Sequence, residues 1–186
     1  MVSHNPIFII IGPPAVGKST TSRAIAAHFP KSIHIPVDNF RDMVVSGLVL
    51  PGAVWSDELA QQISLARSTV VHMALSYQAA GFVVVIDDFW DADLPLDYKA
   101  LFNQPNLQKI ILRPLQEEAH QRNLNRSGDS PARAYIDGGI RSVYEQLNSA
   151  LPQLQRDGYL IIDTTQLGVE ATVAMILQRC GYDYIG

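Results

Sequence analysis

Two hydrophobic periods alternate along this chain. Residues 7–11, "IFIII", form an unbroken apolar run ended by Gly-Pro-Pro, the pattern of a strand buried on both faces of a parallel sheet. Over 18–29 the apolar residues Ala24, Ile25, Ala27 and Phe29 fall at helical spacing, and Pro30 stops them. Residues 32–37 predict a second strand leading to Asp38, and 39–46 a short helix closed by Gly47. The next stretch, "LVLPGAV", predicts an irregular segment. Leu59, Ile63, Ala66, Val70, Met73 and Tyr77 then recur at alternating steps of four and three residues. With Ser56 placed as N-cap ahead of Asp57 and Glu58, this is a long amphipathic helix.

Gly81 ends that helix, "FVVVIDD" predicts a third buried strand, and "LQKIIL" predicts a fourth. Pro114 opens a helix over 115–125. Ser130-Pro131 reads as the N-cap and first position of a longer helix to about Arg156, bent or interrupted near Gly138-Gly139. "GYLIID" supplies a fifth strand and 169–179 the closing helix. This alternation predicts an α/β, three-layer fold with a five-stranded parallel sheet flanked by helices, joined by right-handed crossovers.

Composition narrows the function classes. The 186 residues suit a single domain, 1–186, and 47% hydrophobic with 17% charged residues is a folding composition. The net charge of −4 and the lack of any Lys/Arg run argue against a nucleic-acid partner. One cysteine, Cys180, excludes a disulfide framework within the chain and suits a reducing, cytoplasmic setting. The first apolar run is too short for a signal peptide and lacks a basic flank. Nothing approaches the roughly 20 apolar residues of a membrane span, so a soluble protein, monomer or homodimer, is expected.

In parallel sheets of this kind ligands bind beyond the carboxyl ends of the strands. After the first strand stands "GPPAVGKST", a full match to G-x-x-x-x-G-K-[ST] through Gly12, Gly17, Lys18 and Ser19. Glycines let the backbone wrap an anion closely. Pro13 and Pro14 have no N–H, which leaves the amides of Ala15, Val16, Gly17, Lys18, Ser19 and Thr20 to face phosphates. Lys18 reaches the outer phosphates, and the Ser19 hydroxyl ligates magnesium.

The third strand ends in "DDFW" rather than Asp-x-x-Gly and no guanine motif occurs, which disfavours a GTP switch and leaves a small kinase using ATP and Mg2+. Such an enzyme needs a group to take or orient the acceptor's hydroxyl proton, and Asp38 at the tip of the second strand is the candidate. Asp87 or its neighbour Asp88 would serve the metal, with Asp87 favoured. Arg122, Arg126 and Arg133 flank the polar turn "SGDSP" and predict a helical lid over about 114–135. Arg126 is the candidate for stabilising transferred charge, and Arg122 and Arg133 for holding the nucleotide. Phe89, Trp90 and "LVLPG" line an acceptor pocket or belong to the core, and Arg41 either meets an anionic or polar acceptor or lies on the surface. The five histidines show no ligand spacing and read as structural or exposed.

"GPPAVGKS", "PVDNF", "VVVIDDFW" and "LIIDTTQLGVEATVAMIL" lie in an order that resembles the chloramphenicol phosphotransferase family within the wider group of small P-loop kinases. The resemblance implies a P-loop kinase fold acting on a hydroxyl of a small molecule. By position it gives Asp38 the role of base, Lys18 and Ser19 the phosphate and metal roles, and residues 163–165, with Thr164, a place near the adenine. Residues 46–56 and the lid region depart from the family pattern, so the acceptor stays open. A nucleoside or nucleotide kinase and a nucleotide-binding regulator with slow hydrolysis are the alternatives.

Overall fold

In the first strand, β1 (Ile7–Gly12), side chains alternate between two separate cores. Ile7, Ile9 and Ile11 enter one cluster, Phe8 and Ile10 the other, and all five are fully buried. Burial of each contributes roughly 1.5–3 kcal/mol, which is why β1 takes the middle of the sheet. The computed structural model describes residues 5–51, 55–130 and 132–184.

The remaining strands are β2 (Ser32–Pro36), β3 (Val83–Phe89), β4 (Leu107–Leu112) and β5 (Leu160–Ile162). All pair in parallel in the order β2-β3-β1-β4-β5. The helices are α1 (Lys18–Ala27), α2 (Val37–Arg41), α3 (Asp57–Ala79), α4 (Leu94–Asp97), α5 (Lys99–Phe102), α6 (Gln116–Ser127), α7 (Ala132–Arg156) and α8 (Val169–Arg179). Helices α3, α4 and α5 cover the Ile7/Ile9/Ile11 face, α1, α6 and α8 the other, and α7 contributes to both clusters. The predicted three-layer α/β fold is the observed one. Among the described residues no helix is long and apolar enough to cross a membrane.

Register aligns the functional end of the sheet. Asp87 of β3 sits between Ile10 of β1 and Pro36 of β2. The phosphate loop after β1 and Asp38 after β2 therefore emerge level with the end of β3.

Two local expectations need correction. The helix after β2 covers Val37–Arg41 rather than 39–46, because Val37 is buried as an anchor and Arg41 turns inward to the Val49 carbonyl. Asp38 thus lies in its first turn, and Pro36 is the N-cap. Helix α7 runs unbroken through Gly138-Gly139. Ile140, fully buried, anchors it there, and a Cβ on Gly139 would stand 3.4 Å from the Pro14 ring. That glycine permits close approach to the phosphate loop rather than a bend. The predicted Pro131 position lies outside the described residues, while Ser130 accepts from the Ala132 amide at 3.3 Å. Helices α4 and α5, which no sequence pattern announced, place Leu94, Tyr98 and Leu101 over β1 and β3.

Candidate active site

The loop between β1 and α1 is shaped by backbone conformations that side chains disfavour. Gly12 has φ 152° and Gly17 φ 92°, and Ala15 adopts φ 61°. A Cβ on Gly12 would stand 2.4 Å from the Leu112 carbonyl oxygen, so β1 and β4 close together only over glycine. Successive amides in such mixed left- and right-handed conformations form an anion-binding concavity at the head of α1. Val16 anchors the loop in the core, whereas Ser19 and Thr20 open α1 on its exposed side. Lys18 Nζ donates to the Pro13 carbonyl at 2.8 Å, folded over the loop. Burial lowers its pKa first of all, countered by the charges of Asp38, Asp87 and Asp88, while Arg126 lowers it further. The four side chains therefore share one electrostatic neighbourhood with the lysine.

At the end of β3 strand parity separates the two aspartates. Asp87 lies on the loop side, where the Ser19 hydroxyl donates to its Oδ1 at 2.9 Å and His34 Nε2 bonds Oδ2. Asp88 lies on the α3 side and receives Arg67 Nε at 2.7 Å and the Tyr98 hydroxyl at 3.0 Å. Arg67, fully buried, also reaches Asp91 and Asp97 at 2.8 and 3.0 Å and lies over the Phe89 ring. Burial pushes the Asp88 carboxyl up to about 6 against the pull of Arg67. The structure thus brings Asp87, not Asp88, to Ser19. A hydroxyl and a carboxylate meeting at the mouth of a phosphate-binding loop are hard oxygen donors of the kind magnesium accepts alongside phosphate and water. His34, read from sequence as structural or exposed, orients that carboxylate from β2, the strand that leads into the helix carrying Asp38.

Asp38 is exposed at this edge of the sheet. Trp90 is core, packed edge-on against Tyr159, and Phe89 serves as a platform for Arg67. Arg41, far from being a surface residue, is buried. The segment after α2 is stapled to α3 by Gln62, which accepts from the Val49 amide at 3.0 Å and donates to the Gly47 carbonyl at 2.9 Å.

The three arginines around the turn between α6 and α7 differ from one another. Arg122 donates to the Val16 carbonyl at 3.2 Å and to the Thr164 carbonyl at 2.8 Å, clamping the phosphate loop to the segment after β5. Its Nε pairs with Glu118 at 2.8 Å. Arg126 is exposed, and Arg133 bonds the Gly128 carbonyl and Asp129 within its own turn. Thr164 is buried with its hydroxyl unpartnered, and Thr165 receives the Leu115 amide at 2.7 Å. Helices α6 and α7 are joined where Asp137 accepts from His120 at 2.8 Å and Asn123 at 2.9 Å; those bonds hold its carboxyl below the usual range.

Strand order, glycine loop and the strand-end carboxylate define a P-loop kinase fold. Its sequence matches the chloramphenicol phosphotransferase-like protein family over residues 5–180, and the chain belongs to that family. No curated protein sequence matches it. Among solved structures it is similar to the tunicamycin resistance protein of Deinococcus radiodurans, with TM-score 0.66, 20% identity and 96% of each chain covered. Shikimate kinase from Acinetobacter baumannii superposes with TM-score 0.65 at 18% identity, covering 94% of this chain and 92% of that one. A gluconokinase from Sinorhizobium meliloti 1021 gives TM-score 0.62 at 16% identity, covering 95% and 92%. At such identities the likeness is one of fold.

Proposed function

We propose that the protein is an ATP:alcohol phosphotransferase that transfers the γ-phosphoryl group to a hydroxyl of a small molecule. The observation that carries this reading is the convergence of the phosphate loop, the Ser19–Asp87 pair and the exposed Asp38 at one level of the sheet. Membership of the family and the likeness to small-molecule kinases support it.

The residues divide the chemistry. Amides of Ala15, Val16, Gly17, Lys18, Ser19 and Thr20 cradle the phosphates, and Lys18 balances charge as the phosphoryl group moves. Ser19 and Asp87 would hold magnesium, which supplies neutralisation of phosphate charge. Asp38 accepts the acceptor's hydroxyl proton as its oxygen bonds the γ-phosphorus and the bond to the β–γ bridging oxygen breaks, releasing ADP. Arg126, exposed on the lid and felt by Lys18, closes on the transferring group. Arg122 and Thr164 hold the loops around the nucleotide, and Arg133 joins them when the lid moves.

The test is ATP consumption with magnesium across hydroxyl-bearing metabolites, nucleosides and antibiotics, in wild type, Lys18→Ala and Asp38→Ala. Acceptor-stimulated turnover lost in both variants is the expected result. ATP binding with no stimulation by any acceptor, and no effect of Asp38→Ala, would identify a nucleotide-binding regulator instead.

A further inference from the structure

Among the described residues Arg41 is the one strongly buried arginine without a counter-ion. It is 7% exposed, and among the described residues its guanidinium bonds only the Val49 carbonyl, from Nη2 at 2.7 Å. Its Nε is buried and has no partner. Among the described residues Arg67 is met by Asp88, Asp91 and Asp97, Arg122 by Glu118 and Arg133 by Asp129, whereas no carboxylate comes within ion-pair distance of Arg41. A cation taken out of water without an anion is costly, and a fold that keeps one has a use for it.

Its position says what the use is. Arg41 follows Asp38 by three residues in α2, on neighbouring positions of one helix face. Tyr135, in the first turn of α7, senses both residues: burial raises its phenol, and the charges of Arg41 and Asp38 then act on it in opposite senses. The charges of both α2 residues are thus felt at the head of α7.

We propose that Arg41 determines acceptor specificity by binding an anionic group, carboxylate or phosphate, on the molecule whose hydroxyl faces Asp38. This rests on the phosphotransferase reading for the role of Asp38. The guanidinium fork supplies two parallel donors to such an oxyanion. Nε is free, and Nη2 exchanges or shares its carbonyl bond.

Binding is measured by titration calorimetry with ADP present to fill the phosphate loop. D-gluconate against D-gluconamide forms the carboxylate pair, and glucose 6-phosphate against glucose the phosphate pair. In at least one pair the anion should bind roughly tenfold to a hundredfold more tightly than its neutral partner, and the responding pair tells carboxylate from phosphate. Arg41→Met should abolish the difference, Arg41→Lys should keep part of it, and the thermal midpoint of Arg41→Met should equal or exceed that of wild type. Absence of discrimination in both pairs, discrimination that survives in Arg41→Met, or a lowered midpoint with unchanged binding overturns the proposal. Because the readout is binding, its failure is separate from that of the phosphotransferase reading. Anion discrimination without phosphoryl transfer keeps this subsite and loses the reaction; transfer to neutral acceptors by wild type and Arg41→Met alike does the reverse.

Discussion

Asp87 and Asp88, adjacent in β3, point to opposite faces of the sheet, one to the Ser19 hydroxyl at 2.9 Å and the other to Arg67 at 2.7 Å. Their substitutions should therefore separate cleanly. Asp87→Asn is expected to lower magnesium-dependent phosphoryl transfer by roughly tenfold to a hundredfold with little loss of stability. Asp88→Ala should instead destabilise the fold, because it strips the buried guanidinium of its closest carboxylate. Initial rates and chemical denaturation of the two variants, side by side, check the division.

Arg67 is the larger structural hinge. Fully buried, it meets Asp88, Asp91 and Asp97, which tie α3 to the end of β3 and to α4. Arg67→Met would leave three largely buried carboxylates facing one another, so a loss of about 3–5 kcal/mol is expected. A urea midpoint within experimental error of wild type would contradict that account.

Glycines at three positions should respond in three ways. Gly12→Ala places a Cβ 2.4 Å from the Leu112 carbonyl at φ 152°, so β1 and β4 must part; soluble yield and thermal midpoint should both fall. Gly138 has open space around it inside α7, and Gly138→Ala should raise stability by about 0.5–1 kcal/mol. At Gly139 the same helical gain is offset by the Pro14 ring at 3.4 Å, leaving a smaller change of either sign. Thermal melts of the three variants should rank Gly138→Ala highest and Gly12→Ala lowest.

Much of this was legible from local pattern. Five apolar runs became five parallel strands, and the Ser56 cap closes on the Leu59 amide at 3.2 Å, because each depended on residues close in sequence. The motif residues of the phosphate loop carry their own conformational demands, which is why Gly12 and Gly17 were readable. What escaped depended on distant partners. Arg41 was left between an acceptor contact and the surface, since only the fold shows that the Val49 carbonyl draws it inward. His34 showed no ligand spacing, yet parallel pairing of β2 with β3 brings it to Asp87. Asp87 was favoured over Asp88 from position alone, and the choice acquired a physical reason only when the faces of β3 had been assigned to α1 and α3. Helices α4 and α5 are four residues each, too short to display a period.

Cys180 offers a last check on how the closing helix is packed. The residue caps α8 and packs beside the Phe8 and Ile25 cluster, and burial pushes its thiol up to about 11. The reactive species is the thiolate, so at pH 8 roughly one molecule in a thousand carries it, against about one in four for an ordinary thiol of pKa near 8.5. Alkylation of the native protein by iodoacetamide should accordingly be about two orders of magnitude slower than in denaturant, and should quicken as pH rises toward 11 for as long as the fold holds. Labelling at the unfolded rate under native conditions would mean that α8 does not stay docked on the sheet.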